Sequence, residues 1–115
     1  MENFNTLQTR VNFSIPEDLL NEFREILAVE GVSTTKAFSQ FILNYINHLD
    51  KSFIKTKGLL KGRNVSFVFP ISEETWKEFK EKTEREEVWQ SLIVAQFMRN
   101  YVDFTNMNAK KDRRT

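Results

Sequence analysis

With 115 residues and no cysteine, the chain is too short for two independent domains of ordinary size and carries neither a disulfide frame nor a thiolate site. Its 40% hydrophobic and 29% charged residues are enough for one core under an ordinary polar surface, and no run is apolar enough to span a bilayer. The polar start Met1-Glu2-Asn3-Phe4-Asn5 lacks the apolar segment of a secretion signal, so a cytoplasmic location is expected.

Seventeen basic and sixteen acidic residues leave a formal net charge of +1, but they are segregated. Acids gather between Glu17 and Glu30 and between Glu73 and Glu87. Lys51, Lys55, Lys57, Lys61 and Arg63 fill a stretch without acids, and Lys110, Lys111, Arg113 and Arg114 crowd the C-terminus. Such a chain can turn a basic side to a polyanion while its total charge is almost nil. Merely solvated faces and a solubilising tail would give the same pattern.

In chain order, residues 1–9 read as a flexible arm. Arg10-Val11-Asn12-Phe13-Ser14-Ile15 alternates with period two, the pattern of a half-buried strand with Val11, Phe13 and Ile15 on the inner face. Pro16 ends it and suits a helix start, with Glu17 and Asp18 at the positive end of the helix dipole. Leu19, Leu20, Phe23, Ile26 and Leu27 form a helical stripe that stops at Gly31. Ser33 can cap a second helix whose stripe runs from Ala37 to Leu49. Residues 51–63 read as a basic connector, frayed helix first and then a loop around Gly58 and Gly62. A second strand follows with Phe67, Phe69 and Ile71 inward, then Ser72 as a cap before Glu73 and Glu74. Trp76 and Phe79 mark a third helix, in which Lys82 and Thr83 stand where Ile26 and Leu27 stood. A fourth carries Ile93, Val94, Phe97, Met98, Tyr101 and Val102, and residues 106–115 read as a basic tail.

The second half therefore restates the first. Val11 to Ile46 slides onto Phe67 to Val102 without a gap at an offset of 56 residues: Phe13 falls on Phe69, Glu22-Phe23 on Glu78-Phe79, Gln40-Phe41 on Gln96-Phe97, and Asn44-Tyr45 on Asn100-Tyr101. Units this small rarely bury a sufficient core alone, so the two should fold against each other.

A six-residue strand followed by two helices, present twice, resembles the ribbon-helix-helix family of Arc/Met-type repressors. The residues that carry the resemblance are the strand Arg10 to Ile15, the run Ile15-Pro16-Glu17 and the turn Gly31-Val32-Ser33. It implies a mainly α fold with a two-stranded antiparallel β-ribbon: two ribbon-helix-helix units, β-α-α-β-α-α, over residues 10–50 and 64–105, forming an intramolecular pseudo-dimer. A ribbon swapped between two chains remains the alternative.

By the same resemblance, the outward strand residues Arg10, Asn12 and Ser14 would read bases, with Asn64, Ser66 and Val68 from the second copy. These residue types fit a duplex. A major groove admits a two-stranded ribbon, Arg matches guanine O6/N7, Asn matches adenine N6/N7, and Ser can donate or accept. Val68 could touch a thymine methyl or simply favour a strand. The start of the second helix in each copy would hold phosphate: Ser33, Thr34, Thr35 and Lys36, and then Gln90 and Ser91. Glu87-Val88-Trp89 departs from the family's turn, and Trp89 reads as a core plug or as an indole donor.

The implied partner is double-stranded DNA, with self-association on DNA left open; no cofactor, metal, membrane or small-molecule ligand is expected. His48 has no second ligand nearby, and no catalytic constellation emerges. A sequence-specific DNA-binding regulator, most simply a repressor, is the first expectation. Its vocabulary suits a prokaryote, plasmid, phage or archaeal virus. An accessory protein of plasmid conjugation or partition is the alternative, and an antitoxin-like interaction module ranks below both.

Overall fold

Alternating burial, helix caps and turns place the elements. The computed structural model describes residues 8–113, and the side chains of residues 8–107. Residues 1–7 of the expected arm, and the side chains of residues 108–115 of the basic tail, lie outside the described residues.

Strand β1 (Gln8–Pro16) pairs antiparallel with β2 (Asn64–Ser72) in one two-stranded sheet. Both strands run longer than the six residues their alternation suggested. Val11 faces Phe69 and Phe13 faces Phe67 on the buried side, while Arg10 faces Pro70, Asn12 faces Val68 and Ser14 faces Ser66 on the other. Because neither strand has a second neighbour, Pro70 sits in β2 without breaking a sheet interior.

Helix α1 (Glu17–Glu30) starts at Pro16 and ends at Gly31, whose φ of 69° lets the Val32 N–H return to the Leu27 carbonyl at 3.0 Å. Helix α2 (Thr34–His48) is capped by Ser33, whose Oγ accepts the Lys36 N–H at 3.0 Å. A short 3₁₀ turn, Lys51–Phe53, opens the connector, held by Asp50 accepting the Ser52 N–H at 2.8 Å. The Ser52 hydroxyl donates to the same carboxylate, and that bond with the N–H bond lowers the Asp50 pKa. Helix α3 (Glu73–Arg85) is capped by Ser72, which accepts the Thr75 N–H at 3.1 Å. It closes as α1 does, with the Val88 N–H on the Thr83 carbonyl at 3.0 Å, but the left-handed residue is Glu87, at φ 56°. Helix α4 runs from Gln90 to Arg113 and so takes in most of the segment expected to be a tail.

One core joins these elements. Phe38 of α2 is fully buried, its ring 4.4 Å from Phe69, 5.3 Å from Phe67 and 5.7 Å from Phe13, so a helix of the first half touches both strands. The helices pack crosswise: α1 lies against α4 and α2 against α3. Phe41 and Phe97 stack at 4.2 Å where α2 meets α4, and Arg99 of α4 reaches Glu22 of α1 at 3.3 Å.

This arrangement corrects the expectation of two ribbon-helix-helix units joined as a pseudo-dimer. Among the described residues the chain has four α-helices and a single two-stranded antiparallel sheet in the order β1-α1-α2-β2-α3-α4. It is mainly helical, as expected, but not a pair of like units. As expected for units this small, neither half closes a core of its own: β1 pairs with β2, α1 packs on α4 and α2 on α3. Nor do the halves match: α2 has 15 residues and α4 has 24, and the connector lies on α4. The physical reason is that a continuous chain has one connector, so its Lys55–Thr56 backbone lies on α4 while α2 receives the Phe53 ring at its start. In this structure the strands pair within one chain.

Three cross-half ties were not foreseen. The Tyr45 hydroxyl donates to Glu86, and the Tyr101 hydroxyl donates to Glu30 at 2.7 Å. Burial, then the bonded carboxylate, raises both phenols: Tyr45 far above its ordinary range and Tyr101 to about 12. Lys82 extends over the Tyr45 ring, 4.8 Å from its centroid, and donates to the carbonyls of Tyr45 (2.8 Å), Ile46 (3.2 Å) and Leu49. It thus caps the C-terminal end of α2, the negative pole of that helix.

Candidate nucleic-acid interface

The sheet has one face on the core and one that no described helix covers. Gln8, Arg10, Asn12 and Ser14 of β1 are exposed there, as are Asn64, Ser66 and Val68 of β2. Every residue expected to read bases is therefore on one face, because side chains alternate with period two. The pairing refines their order. At the offset of 56 residues, Arg10, Asn12 and Ser14 correspond to Ser66, Val68 and Pro70. Pro70 thus joins the central rungs, opposite Arg10, while Asn64 sits at the strand's start opposite Pro16 and donates to the Leu60 carbonyl at 3.3 Å. Gln8 was missed because the expected strand began only at Arg10, and Pro70, which lay between the expected inward residues Phe69 and Ile71, was not counted among the outward ones. Asn12 and Val68 face each other, and Asn12 Nδ2 donates to Ser66 Oγ at 3.3 Å. The centre of the face is thereby unlike on its two sides, an amide against a valine that is 48% exposed.

The starts of α2 and α4 flank opposite ends of the sheet. At one end Thr35 lines a groove of about 310 Å³ with Gln8, Pro70 and Ser72. At the other, Trp89, Gln90 and Ser91 line a groove of about 500 Å³ with Ser14 and Asn64, and Ser91 Oγ accepts the Ser14 N–H at 3.3 Å. Of the first expected phosphate set, Thr35 shares a groove with the sheet. Ser33 has its oxygen committed to the cap, Thr34 is half-buried, and Lys36 lines a different groove with Gln40 and Asn44. In the second set both Gln90 and Ser91 lie beside the sheet.

Trp89 is not a core plug: it is 73% exposed. Its carbonyl accepts the N–H groups of Leu92 at 3.1 Å and Ile93 at 3.4 Å, so it stands at the cap of α4. The offset carried that signal, since it lays Trp89 on Ser33, a solvent-facing cap. Among the connector bases, Lys51, Lys55, Lys57, Lys61 and Arg63 are all exposed, and Arg63 lies next to the sheet, its carbonyl accepting the Glu17 N–H at 2.9 Å. No helix among the described residues is long and apolar enough to cross a membrane. Compared with protein-family models, with curated proteins and with solved structures, the chain matches none.

Proposed function

We propose that this chain is a sequence-specific double-stranded DNA-binding protein that lays its two-stranded sheet in the major groove, most simply as a transcriptional repressor of the ribbon-helix-helix kind. The observation that supports the reading is the uncovered polar face of the sheet, with the described helices packed on the other side. An outer row of Arg10, Asn12, Ser14 and Ser66 has no core to serve. Those side chains supply the donors and acceptors that base edges require, about 1–3 kcal/mol of discrimination for each good bidentate contact. Thr35 at one end, and Gln90 and Ser91 at the other, supply polar groups at helix starts, where phosphate is favoured. Trp89 and Arg63 add an exposed ring and a cation near the second end only.

Since Arg10, Asn12 and Ser14 answer to Ser66, Val68 and Pro70, the two sides of the face read unlike bases, and the preferred site is an imperfect inverted repeat. Selection from random duplexes at two salt concentrations tests this, with Arg10→Ala/Asn12→Ala beside the natural chain. An enriched, imperfectly symmetric motif that the double variant loses is the expected result. Binding without enrichment that falls steeply with salt would reduce the interaction to phosphate contacts alone. No binding at either salt would end the DNA reading.

A further inference from the structure

Helix α4 shows how this fold holds an extended segment. Gln96, buried in mid-helix, accepts the backbone N–H groups of Lys55 (2.9 Å) and Thr56 (3.0 Å) on Oε1. Its Nε2 donates to Thr56 Oγ1 at 3.3 Å and to Asn100 Oδ1 at 2.8 Å. One glutamine, steadied by an asparagine a turn later, thus recognises two successive N–H groups and a β-hydroxyl. That use of backbone groups selects extended chain, because a helix interior has no N–H to spare.

Gln40 and Asn44 stand 56 residues before that pair, with the same spacing on α2. There the connector arrives only with its start, Phe53, whose ring lies 5.7 Å from Phe41 and forms one wall, while its Lys55–Thr56 backbone is bound at Gln96 instead. Gln40 and Asn44 are both exposed, neither side chain has a hydrogen-bond partner among the described residues, and they border a groove of about 670 Å³. Its apolar lining includes Ala37, Phe41 and Phe97, with the last two stacked at 4.2 Å, and Lys36 stands at its edge. An amide pair on a helix is ordinarily a solvated face. Here the corresponding pair is already occupied by peptide, and an aromatic floor lies beside the open one. None of the lining residues belongs to the sheet, so a ligand here leaves the outer face free.

We infer that the α2 groove docks an extended segment of another protein, which presents two consecutive N–H groups to Gln40 and a serine or threonine hydroxyl beside Asn44. An aliphatic side chain of that segment lies on Phe41 and Phe97. The probe is a blocked peptide with the connector's own sequence, Ser52 to Lys57, titrated into the full-length ¹⁵N-labelled chain while side-chain amide signals are followed. The signals of Gln40 and Asn44 shift saturably at millimolar peptide, and those of Gln96 and Asn100 stay in place. Replacing the probe's threonine by alanine, or Gln40→Ala in the protein, weakens the effect about fivefold or more. Gln40 is exposed, so that variant keeps its fold, which unchanged Gln96 and Asn100 signals would verify. Four results would overturn the inference: no saturable shift, shifts indifferent to Gln40→Ala, shifts at Gln96 instead, or a free-state Gln40 signal that moves on Phe4→Ala. The last would mean that the chain's own first residues occupy the groove.

Discussion

Replacing Lys82 by methionine isolates the capping of α2. The substitution keeps most of the aliphatic stem over Tyr45 and removes the ammonium that donates to the Tyr45, Ile46 and Leu49 carbonyls. A hydrogen bond from a charged donor contributes about 1.5–3 kcal/mol, but three that share one ammonium do not add. The Tyr45 carbonyl still receives the Leu49 N–H at 3.3 Å, and Ile46 and Leu49 are only half-buried, so water can reach their carbonyls. Favourable placement at a helix C-terminus is worth about 0.3–1 kcal/mol and overlaps with the same bonds. The net cost of Lys82→Met is therefore about 2 kcal/mol. With a urea m-value of about 1–2 kcal/mol/M, the unfolding midpoint falls by about 1–2 M with m unchanged. Circular dichroism at neutral pH measures it. Lys80→Met, at an exposed position on the same helix, is the control and shifts stability by no more than about 0.5 kcal/mol. If the two variants lose the same amount, Lys82 is an ordinary surface lysine and the capping argument fails.

Glu87 holds φ 56°, the conformation that Gly31 takes at the end of α1, so Glu87→Gly stabilises the chain by about 1 kcal/mol and Gly31→Ala costs a similar amount; urea midpoints of the two variants should move in opposite directions. Tyr45 and Tyr101 hold their protons more tightly folded than unfolded, where a phenol titrates near pH 10. Their contribution to stability is complete below about pH 10 and is lost as pH rises through the folded values, about 12 for Tyr101 and higher for Tyr45. The urea midpoint should drop between pH 8 and pH 11, and drop less in Tyr45→Phe/Tyr101→Phe. Gln96→Ala removes the acceptor of the Lys55 and Thr56 N–H groups, so both amides should exchange with deuterium faster while those of β1 do not.

Strands and helix stripes were legible because they are periodic, and so was the outer face of the sheet, because alternation assigns sides without knowing the partner. The repeat also carried the register: residues separated by the offset, Asn12 and Val68, meet directly across the strands. What stayed hidden depended on contacts between distant segments. Lys82 and Thr83 looked like flaws in a core stripe until α2 brought its carbonyls to Lys82 and Thr83 Oγ1 turned back to the Phe79 carbonyl at 3.1 Å. The Tyr45–Glu86 and Tyr101–Glu30 bonds join residues 41 and 71 positions apart, and no local pattern announces them. The difference between Gln40 and Gln96 lies in the path of Lys55 and Thr56, which run along α4. Two like halves were expected because sequence similarity records shared side chains and not which surface a linker covers.

Crosswise packing also governs how the chain can be made. β1 has no strand to pair with until β2 exists, and Phe13 and Phe38 have no Phe67 or Phe69 to rest on. At a synthesis rate of about 5–20 residues per second, the synthesis from the end of β1 to the end of β2 leaves the first half unpartnered for roughly 3–11 s. During that time its aromatic stripe and a free strand edge are open to any neighbouring nascent chain that carries the same pattern. The ribosome therefore presents this protein with a race between its own second half and somebody else's first.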